Sequence, residues 1–434
     1  MELPQHTGIQ NIANNCYFNA ILQSLASSKS IYSILNNNYN MDKVILFIIN
    51  KYKLNDLGLT NLQSKCTELL ITLRTALQAS TSSSITSSIQ TEIFVIEKIL
   101  KYTYETYIYL EWKNVVKKLH DNINKTVDIA NLLGLLYGKT KTTPFAHLFN
   151  GGQNDPHECL LYLFDVFHHY SSCPLSKYNK PIPIINFNNI NIKINNLGNN
   201  GNNINTNINN DLNMVEIEKI YRIQFIKEYE NEYSEFITHF YNTYLTIIKC
   251  NKCNHTNYNI SPLSIIDVPL DTSIYRNGHL FNHDRDGSHS INIVDCLRQF
   301  LKTELLEGYS CDNCKLQNTS FISKRLLSVA NTIIIEIKKF TVLPNTIVKN
   351  NINIKYPMIL DMSIFGDHLG GKYELFSVVN HQGAMNFGHY YSFNKLLNTN
   401  TWLYCNDENV KIINNIDQMT SDGNAYLLFY QLIM

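Results

Sequence analysis

The 434-residue sequence predicts an α+β protein of segregated layers, with helices in the first part of the chain and a β-sheet in the second. Before residue 170, apolar residues recur at the spacing of amphipathic helices. After about residue 215, short runs of β-branched and aromatic residues dominate, separated by glycine and asparagine turns. Between the two parts, residues 185–215 are rich in asparagine, which disfavours regular structure, and we expect an exposed, disordered insertion there.

The first predicted helix lies within residues 8–28. Its apolar side chains fall at i, i+3, i+4 and i+7 and define one face, made of Phe18, Ile21, Leu22 and Leu25. Asn14 or Asn15 is expected to cap its N-terminus, because asparagine is a favoured capping residue.

The remaining elements follow from the same patterns. Residues 41–150 are predicted to be mostly helical, with one break at the Ser/Thr-rich stretch 79–90, which we interpret as a mobile loop. Residues 153–170 resume a helix. Beyond the insertion, four runs have the composition of strands: Thr332 to Ile337, Phe376 to Val379, Tyr390 to Phe393 and Ala425 to Tyr430.

Composition excludes several classes of partner. The chain has 36 basic and 36 acidic residues, so nothing indicates a nucleic-acid footprint. No apolar run reaches the roughly 18 residues that a membrane span needs, and the N-terminus is too polar for a signal peptide. We therefore expect an intracellular protein, cytoplasmic or nuclear, in which the ten cysteines are reduced.

One of these cysteines, Cys16, stands at the start of the first predicted helix. The partial positive charge of a helix N-terminus favours the thiolate, which is the nucleophilic form of cysteine. Asn11 lies five residues earlier and offers an amide donor that suits the oxyanion of a tetrahedral intermediate. The alternative for a lone cysteine is a buried structural residue.

A candidate base is His389, which follows Gly388 and opens a predicted strand. The polar pair Asn406 and Asp407 follows another short strand and is suited to orienting an imidazole, which completes the logic of nucleophile, base and orienting group. A lone histidine is more often an ordinary surface or core residue. His381 is interpreted as a loop residue and not as a second base.

Two C-x-x-C pairs indicate a metal site. Cys250 and Cys253 form one pair, and Cys311 and Cys314 form the other. Four thiolates suit tetrahedral structural zinc, with no open position for catalysis. A single pair is compatible with redox chemistry or chance, whereas two pairs in a reducing compartment favour zinc. His255 is surplus to four cysteine ligands.

Four segments, in order along the chain, resemble the ubiquitin-specific proteases. The segment around Cys16 is similar to the family's cysteine box, G-L-x-N-x-G-N-T-C-Y-M-N-x-x-L-Q, from which it departs at Ala13, Asn15 and Phe18. The segment around His389 resembles the histidine box, Y-x-L-x-A-V-x-x-H-x-G-x-x-x-x-G-H-Y, followed by a W-x-x-F segment with Asp or Asn and then Asp. The two cysteine pairs match the family's fingers subdomain.

The remaining segment lies between the Cys16 segment and the first cysteine pair; it begins at Gln153 and resembles the family's Q-Q-D-A-x-E-F-L box. Asp155 and Glu158 lie in it, where acids in the first turn of a helix are favoured by the helix dipole whatever the function. The resemblance implies a second role for these two acids, as contacts for the Arg-rich C-terminal tail of ubiquitin through charge-assisted hydrogen bonds.

The resemblance implies a papain-like fold of thumb, palm and fingers in a single catalytic domain, residues 1–434. The mostly helical thumb part would take residues 1–184. The fingers, with their zinc ribbon and part of the palm, would take residues 216–345. The palm sheet that carries the histidine would take residues 346–434. The family is also the source of the expectation that one structural zinc supports the fingers.

The resemblance also implies the role of each site residue. Cys16 is the nucleophile, His389 the general base and Asn11 the oxyanion donor. Asn406 is the residue expected to orient the imidazole, with Asp407 as its competitor for that role.

The implied function is a thiol-dependent deubiquitinase that acts as a monomer on ubiquitin and ubiquitinated proteins. It would hydrolyse the isopeptide or peptide bond after the C-terminal glycine of ubiquitin. Three alternatives stay open: a protease of the same fold for another ubiquitin-like modifier, a catalytically inactive ubiquitin-binding protein, and a zinc-stabilised interaction module.

Overall fold

A computed structural model describes residues 7–36, 41–54, 57, 59–121, 126–177, 185, 187, 214–270, 282–283, 289–343, 346–384, 388–416, 419 and 423–433. Within these residues most helices precede the strands of the large sheet, as expected for the predicted α+β class. None of the helices in these ranges is long and apolar enough to cross a lipid bilayer.

The helices occur in two groups, a large one before residue 172 and a smaller one after residue 213. In chain order they are α1 (Cys16–Ala26), α2 (Lys29–Asn36), α3 (Met41–Lys51), α4 (Leu59–Ala79), α5 (Ser83–Lys101), α6 (Thr103–Asp121), α7 (Ala130–Thr140), α8 (Pro156–Ser171), α9 (Met214–Tyr229), α10 (Glu235–Phe240) and α11 (Ile293–Phe300).

Helix α1 lies at the centre of the helical part. All of its residues are buried, including Asn19, Gln23 and Ser24, so its sequence pattern of one apolar face understates its burial. The buried polar groups have partners: Gln23 Nε2 donates to the carbonyl oxygen of Thr7 at 3.0 Å, and Ser24 Oγ donates to the carbonyl oxygen of Ala20 at 2.8 Å. The helix is therefore fixed on every side.

The stretch 79–90, predicted to be a mobile loop, is mostly helix, and that prediction was wrong. Helix α4 ends at Ala79 and α5 begins at Ser83. The two helices pack against each other, and an ion pair of 2.7 Å joins Arg74 to Glu97 across them. The reason is that serine and threonine weaken a helix by only about 0.5 kcal/mol each, whereas α5 continues into a buried face formed by Val95, Ile96 and Ile99.

The strands, in chain order, are β1 (Gly8–Ile9), β2 (Thr126–Val127), β3 (Asn242–Cys250), β4 (Thr256–Leu263), β5 (Ile265–Pro269), β6 (Asn282–His283), β7 (His289–Asn292), β8 (Glu304–Leu305), β9 (Ser320–Ser328), β10 (Thr332–Lys338), β11 (Phe340–Leu343), β12 (Thr346–Lys349), β13 (Asn353–Lys355), β14 (Ile359–Asp361), β15 (Lys372–Gln382), β16 (His389–Lys395), β17 (Trp402–Asn406), β18 (Asn409–Ile413) and β19 (Ala425–Leu432). The four predicted runs lie within β10, β15, β16 and β19.

Two sheets organise the second half of the chain. The large sheet has the order β18-β17-β16-β15-β19-β10-β5, with β14 also paired to β15. All of its pairings are antiparallel except that of β10 with β5. The second sheet has four antiparallel strands in the order β4-β3-β9-β8.

The large sheet separates two apolar cores. Its strands carry apolar runs, such as Ile333–Ile335 of β10, because both of its faces are covered. On one face Ile334 packs in a core shared with the helices before residue 172. On the other face Ile333 and Ile335 pack in a core that includes residues of α11. Helix α1 lies on the first of these faces, against β15, β16 and β17.

Helices α9 and α10 occupy the start of the region that was predicted to be mostly strands. The face of α9 that carries Ile217 and Tyr221 packs on Leu245, Ile260 and other residues of the four-stranded sheet. The i, i+4 spacing of these residues was a readable helix signal. The Asn-rich segment itself lies outside the described residues, apart from residues 185 and 187 and the part from Met214 onwards that belongs to α9.

Candidate active site

Cys16 is the first residue of α1 and is 3% exposed. Its thiol therefore lies where the partial positive charge of the helix N-terminus favours a thiolate, as the sequence predicted. The imidazole of His389 is its hydrogen-bonding partner. That hydrogen bond is the main reason why the pKa of His389 is raised to about 9, although partial burial of the ring acts in the opposite direction.

The other side of the imidazole is held by Asn406. His389 opens β16, Asn406 closes the antiparallel neighbour β17, and the His389 Nε2 to Asn406 Oδ1 distance is 2.6 Å. Because Oδ1 can only accept, Nε2 carries the proton in this contact, which leaves the other ring nitrogen for the thiol. Asn406 Nδ2 in turn donates to the hydroxyl of Tyr404 at 3.0 Å.

Asp407 is engaged by a different set of residues. Its Oδ2 accepts a hydrogen bond from Asn11 Nδ2 at 2.8 Å, and its Oδ1 accepts one from Asn19 Nδ2 at 2.7 Å. Its backbone carbonyl accepts from the amide of Ile9 at 2.9 Å. The sequence left Asn406 and Asp407 as competitors for one role; the structure places Asn406 on the imidazole and Asp407 on the loop before Cys16.

This loop is ordered from inside by Asn15, which is 2% exposed. Asn15 Oδ1 accepts from the backbone amides of Ile12 at 2.8 Å and Ala13 at 3.1 Å, and its Nδ2 donates to Asn19 Oδ1 at 2.8 Å. Asn15 occupies the N-cap position of α1, but its side chain makes no capping hydrogen bond to the helix. The prediction that Asn15 caps the helix was therefore right about its position and wrong about its hydrogen bonds, which its side chain makes to the preceding loop.

Gln153 and Asn19 belong to the site although the sequence did not single out a role for them. Gln153 Nε2 donates to the carbonyl oxygen of Gly388, next to His389, at 2.7 Å. Gly388 has no room for a side chain, since a Cβ there would lie 1.9 Å from His381 Nε2. The sequence indicated a role for Gln153 only through its place at the start of the segment that resembles the Q-Q-D-A-x-E-F-L box.

His381 is a strand residue, not the loop residue that was predicted. It belongs to β15 and is 1% exposed. Burial, together with the neighbouring cations Lys349 and Lys339, lowers its pKa to about 4. It packs against the rings of Phe340 and Tyr390 and is neutral at physiological pH.

Asp155 and Glu158 both lie at the start of α8, but in different surroundings. Asp155 caps the helix by accepting from the amide of His157 at 2.8 Å, and it accepts from the hydroxyl of Tyr426 at 3.0 Å. Burial raises the pKa of its carboxyl. Glu158 is 42% exposed at its side chain and pairs with His147 at 3.0 Å. Glu158 is thus the more accessible acid.

An ion-pair cluster ties α8 to β10 beside Asp155. His157 Nδ1 lies 3.0 Å from Glu336 Oε2, and Lys338 contacts the same carboxylate. The Tyr426 hydroxyl lies between the cluster and Asp155, 2.9 Å from Glu336 Oε1 and 3.0 Å from Asp155 Oδ1, so its single hydrogen is donated to one of the two carboxylates at a time. Burial would raise the pKa of Glu336, but the pairs with His157 and Lys338 lower it to about 2, so the carboxylate is charged.

The two cysteine pairs come together at one end of the four-stranded sheet. Their sulfur atoms all lie within 4.8 Å of one another. The closest approaches are between the pairs: 3.7 Å from Cys250 to Cys314 and 3.6 Å from Cys253 to Cys311. A tetrahedron with metal–sulfur bonds of about 2.3 Å has edges of about 3.8 Å. The cluster therefore has the size and donor set of a four-thiolate metal site.

Comparison with known proteins gives a consistent family. The family model described as ubiquitin carboxyl-terminal hydrolase matches residues 7–430. One segment is 33% identical over 150 residues to a protein named a probable ubiquitin carboxyl-terminal hydrolase of Acanthamoeba polyphaga mimivirus, covering 32% of this chain and 31% of that protein. Another is 29% identical over 197 residues to ubiquitin carboxyl-terminal hydrolase 4 of Saccharomyces cerevisiae, covering 40% of this chain and 19% of that protein. The aligned segments thus span less than a third of these relatives.

Solved structures show the same fold. The chain is similar to a structure of the SAGA deubiquitinating module that contains Ubp8, Sgf11, Sus1 and Sgf73 bound to monoubiquitin, with a TM-score of 0.56 and 16% identity over 99% of this chain and 70% of that one. It is also similar to that module bound to ubiquitin aldehyde, with a TM-score of 0.55, 17% identity and the same coverage. These similarities establish the fold class.

Proposed function

The chain belongs to the ubiquitin carboxyl-terminal hydrolase family, whose model matches residues 7–430, and from this premise we propose that it is a thiol-dependent deubiquitinase. Its substrates are ubiquitinated proteins, and the bond cleaved follows the C-terminal glycine of ubiquitin. The observation that carries the proposal is the chain of contacts from Cys16 through His389 to Asn406. That chain has the order of nucleophile, base and orienting group.

The proposed reaction is an acyl transfer in two steps. His389 takes the proton of Cys16, and the thiolate attacks the carbonyl carbon of the terminal glycine. The bond to the lysine amine breaks as His389 returns the proton to the leaving nitrogen. Water, deprotonated by His389, then hydrolyses the thioester and frees Cys16. The raised pKa of His389 favours its imidazolium form at neutral pH.

Asn11 is proposed as the oxyanion donor. Its Nδ2 carries two hydrogens, and one is donated to Asp407 at 2.8 Å. Its Oδ1 accepts the amide of Asn15 at 3.2 Å, which fixes the plane of the side chain beside the nucleophile. The second hydrogen is the one assigned to the oxyanion. Preorganised donors of this kind are worth about 10²–10³ in kcat.

Asp155 and Glu158 are proposed to contact the basic C-terminal tail of ubiquitin, which requires acids along its path. Glu158 supports this role by its accessibility at the start of α8. Asp155 would act through the Tyr426 side of its carboxylate, next to the charged Glu336. Both acids lie at the start of α8.

One structural zinc is proposed for the four-cysteine cluster. The sulfur atoms of Cys250, Cys253, Cys311 and Cys314 fit the edge lengths of a tetrahedral thiolate site. The ion would crosslink the turn after β3 to the segment between β8 and β9. Its contribution would be to the stability of the four-stranded sheet, with no part in the reaction.

The test is the reaction of the purified protein with ubiquitin that carries a thiol-reactive group at its C-terminus, followed by intact mass. We expect one ubiquitin-sized adduct, which is lost in Cys16→Ala and strongly slowed in His389→Ala. Cys66→Ala is the matched control, because Cys66 is also buried in the helical part but lies outside the site. No adduct on the folded, metal-loaded wild type would overturn the proposal. If probes made from other ubiquitin-like modifiers form an adduct and the ubiquitin probe does not, the substrate of the protease is another modifier.

A further inference from the structure

The side-chain amide of Asn406 must be held in one orientation, whereas a carboxylate in its place would accept a hydrogen bond in either orientation. Its amide has two unlike ends, and only Oδ1 can accept the proton that His389 Nε2 donates at 2.6 Å. A half-turn of the amide would set Nδ2 against Nε2, donor against donor. Such a contact cannot support an imidazolium, so the orientation of this amide matters for the base.

Tyr404 is placed to hold that orientation. Its hydroxyl oxygen lies 3.0 Å from Asn406 Nδ2 and accepts its hydrogen bond. The two residues are two apart on β17 and therefore point to the same side of the sheet. Strand register sets Tyr404 directly opposite Phe393 of β16, and its ring packs against Phe393 at 5.5 Å and Tyr391 at 5.4 Å. The phenol is thus anchored by its ring and aimed at the amide by its hydroxyl.

We propose that Tyr404 is a positioning residue, which keeps Asn406 Oδ1 turned towards His389 by accepting the hydrogen bond from Asn406 Nδ2. The proposal rests on the proposed function of Cys16, His389 and Asn406. Tyr404 touches no reacting atom and acts only through Asn406. Its importance depends on residue 406 being asparagine, because both oxygens of an aspartate can accept from His389.

The surroundings of His389 allow this role to be isolated. The titratable groups that raise its pKa are Cys16 from α1 and Asp407 from the turn after β17. Replacement of Tyr404 by phenylalanine alters neither group and keeps the aromatic packing on β16. A change in the titration of His389 would therefore report the amide of Asn406.

The experiment is a double-mutant cycle with Tyr404→Phe, Asn406→Asp and the double variant, assayed on ubiquitin with a C-terminal fluorogenic amide. We expect Tyr404→Phe to lower kcat about tenfold, the rate equivalent of about one hydrogen bond, with KM unchanged. In the Asn406→Asp background the same substitution should lower kcat less than about twofold. The alkaline limb of the pH–rate profile, which reports the loss of the His389 proton, should lie at lower pH in Tyr404→Phe than in the wild type. It should lie at the same pH in Asn406→Asp and in the double variant.

Tyr391→Phe is the matched control. It removes a hydroxyl from the same aromatic cluster, where Tyr391 accepts a hydrogen bond from Asn424 Nδ2 at 3.3 Å. It should leave the alkaline limb in place. An equal loss of kcat from Tyr404→Phe in both backgrounds, with an unmoved limb, would overturn the proposal, as would a fully active Tyr404→Phe. A wild type without activity would instead overturn the proposed function.

Discussion

Asn11 Nδ2 lies 2.8 Å from Asp407 Oδ2, so the two side chains are joined by a hydrogen bond across a separation of 396 residues. The second oxygen of Asp407 accepts from Asn19 at 2.7 Å, and both amide donors belong to the part of the chain around Cys16. The carboxylate therefore acts as a clamp on the loop that holds the candidate oxyanion donor. Its expected contribution to catalysis comes through Asn11, whereas Asn406 acts on His389.

Asp407→Asn is expected to lower kcat about tenfold or more with little change in KM. The amide can accept from only one of Asn11 and Asn19 and would turn a donor towards the other, so the oxyanion donor loses its fixed orientation. Asparagine tolerates the left-handed backbone of this position, where φ is 50°, so the turn should persist. Steady-state kinetics on a ubiquitin amide measure the effect, with Glu218→Gln as control, because the Glu218 carboxylate pairs with Arg222 on α9. An unchanged kcat would contradict the clamp.

Asn15→Thr, which restores the residue of the family's cysteine box, is expected to destabilise this protein. Threonine cannot reproduce the two hydrogen bonds that Asn15 Oδ1 accepts from Ile12 and Ala13 together with the one donated to Asn19. The loss should be about 1–3 kcal/mol in the free energy of unfolding. Denaturant unfolding measures it, and Asn36→Thr at an exposed helix end should cost much less. Equal stability of the two variants would show that the loop is not held by Asn15.

The titration of His389 is expected to be displaced upwards and to depend on Cys16. NMR of the histidine ring should give a pKa of about 9 in the wild type and a clearly lower value in Cys16→Ala, because the hydrogen bond with Cys16 is the largest cause of the shift. Since the pKa is raised from 6.5 on folding, the bound proton stabilises the fold fully below pH 6.5, and this contribution is lost as the pH rises through about 9. The same pKa in both proteins would refute the hydrogen bond with Cys16 as the cause of the raised pKa of His389.

Removal of the metal is expected to destabilise the four-stranded sheet. Cys311→Ser should reduce the zinc content from one ion per chain to nearly none and lower the Tm by about 5 °C or more. Elemental analysis and thermal unfolding measure the two effects. Cys66→Ser is the control, because Cys66 is buried in α4 outside the cluster and its replacement should leave the zinc content at one. A wild type purified without any bound metal, yet equally stable with added chelator, would rule out the site.

Glu158→Gln is expected to raise KM for ubiquitin substrates about three- to tenfold while kcat stays near the wild-type value. The substitution removes one exposed charge from the start of α8 and leaves the Cys16 region intact, so it is expected to remove uniform binding of the tail. A matched control is Glu218→Gln on α9, where the carboxylate pairs only with Arg222 in the described contacts. A fall in kcat with unchanged KM would point away from tail binding.

The sequence predicted the residues of the site better than their connections. Cys16 at the start of a helix and His389 at the start of a strand were predicted from local patterns, and both positions are confirmed. The partners of Asp407 were not predictable, because they depend on how the first loop packs against the turn after β17. The role of Tyr404 was not predictable either, because its hydrogen bond with Asn406 depends on how β17 pairs with β16.

The fold, like the site, was predicted only in part: several strands were predicted correctly, and two helices were not. Four strands of the large sheet, β10, β15, β16 and β19, were predicted from runs of β-branched and aromatic residues, which are typical of strands. Helix α5 was missed at its start because serine and threonine composition was given more weight than the apolar spacing that follows it. Helix α9 was not predicted because it directly follows the asparagine-rich segment and only the i, i+4 pair of Ile217 and Tyr221 indicates its buried face.

The separation of 396 residues between Asn11 and Asp407 has a consequence for a chain that is still being made. At about 5–20 residues per second, the ribosome needs roughly 20–80 s to travel from one to the other. For most of this interval the nascent chain contains the Cys16 segment without the strand that carries His389. The thiol of Cys16 is therefore synthesised before the base that is proposed to activate it, and the unfinished chain lacks the pair of residues that the proposed reaction needs.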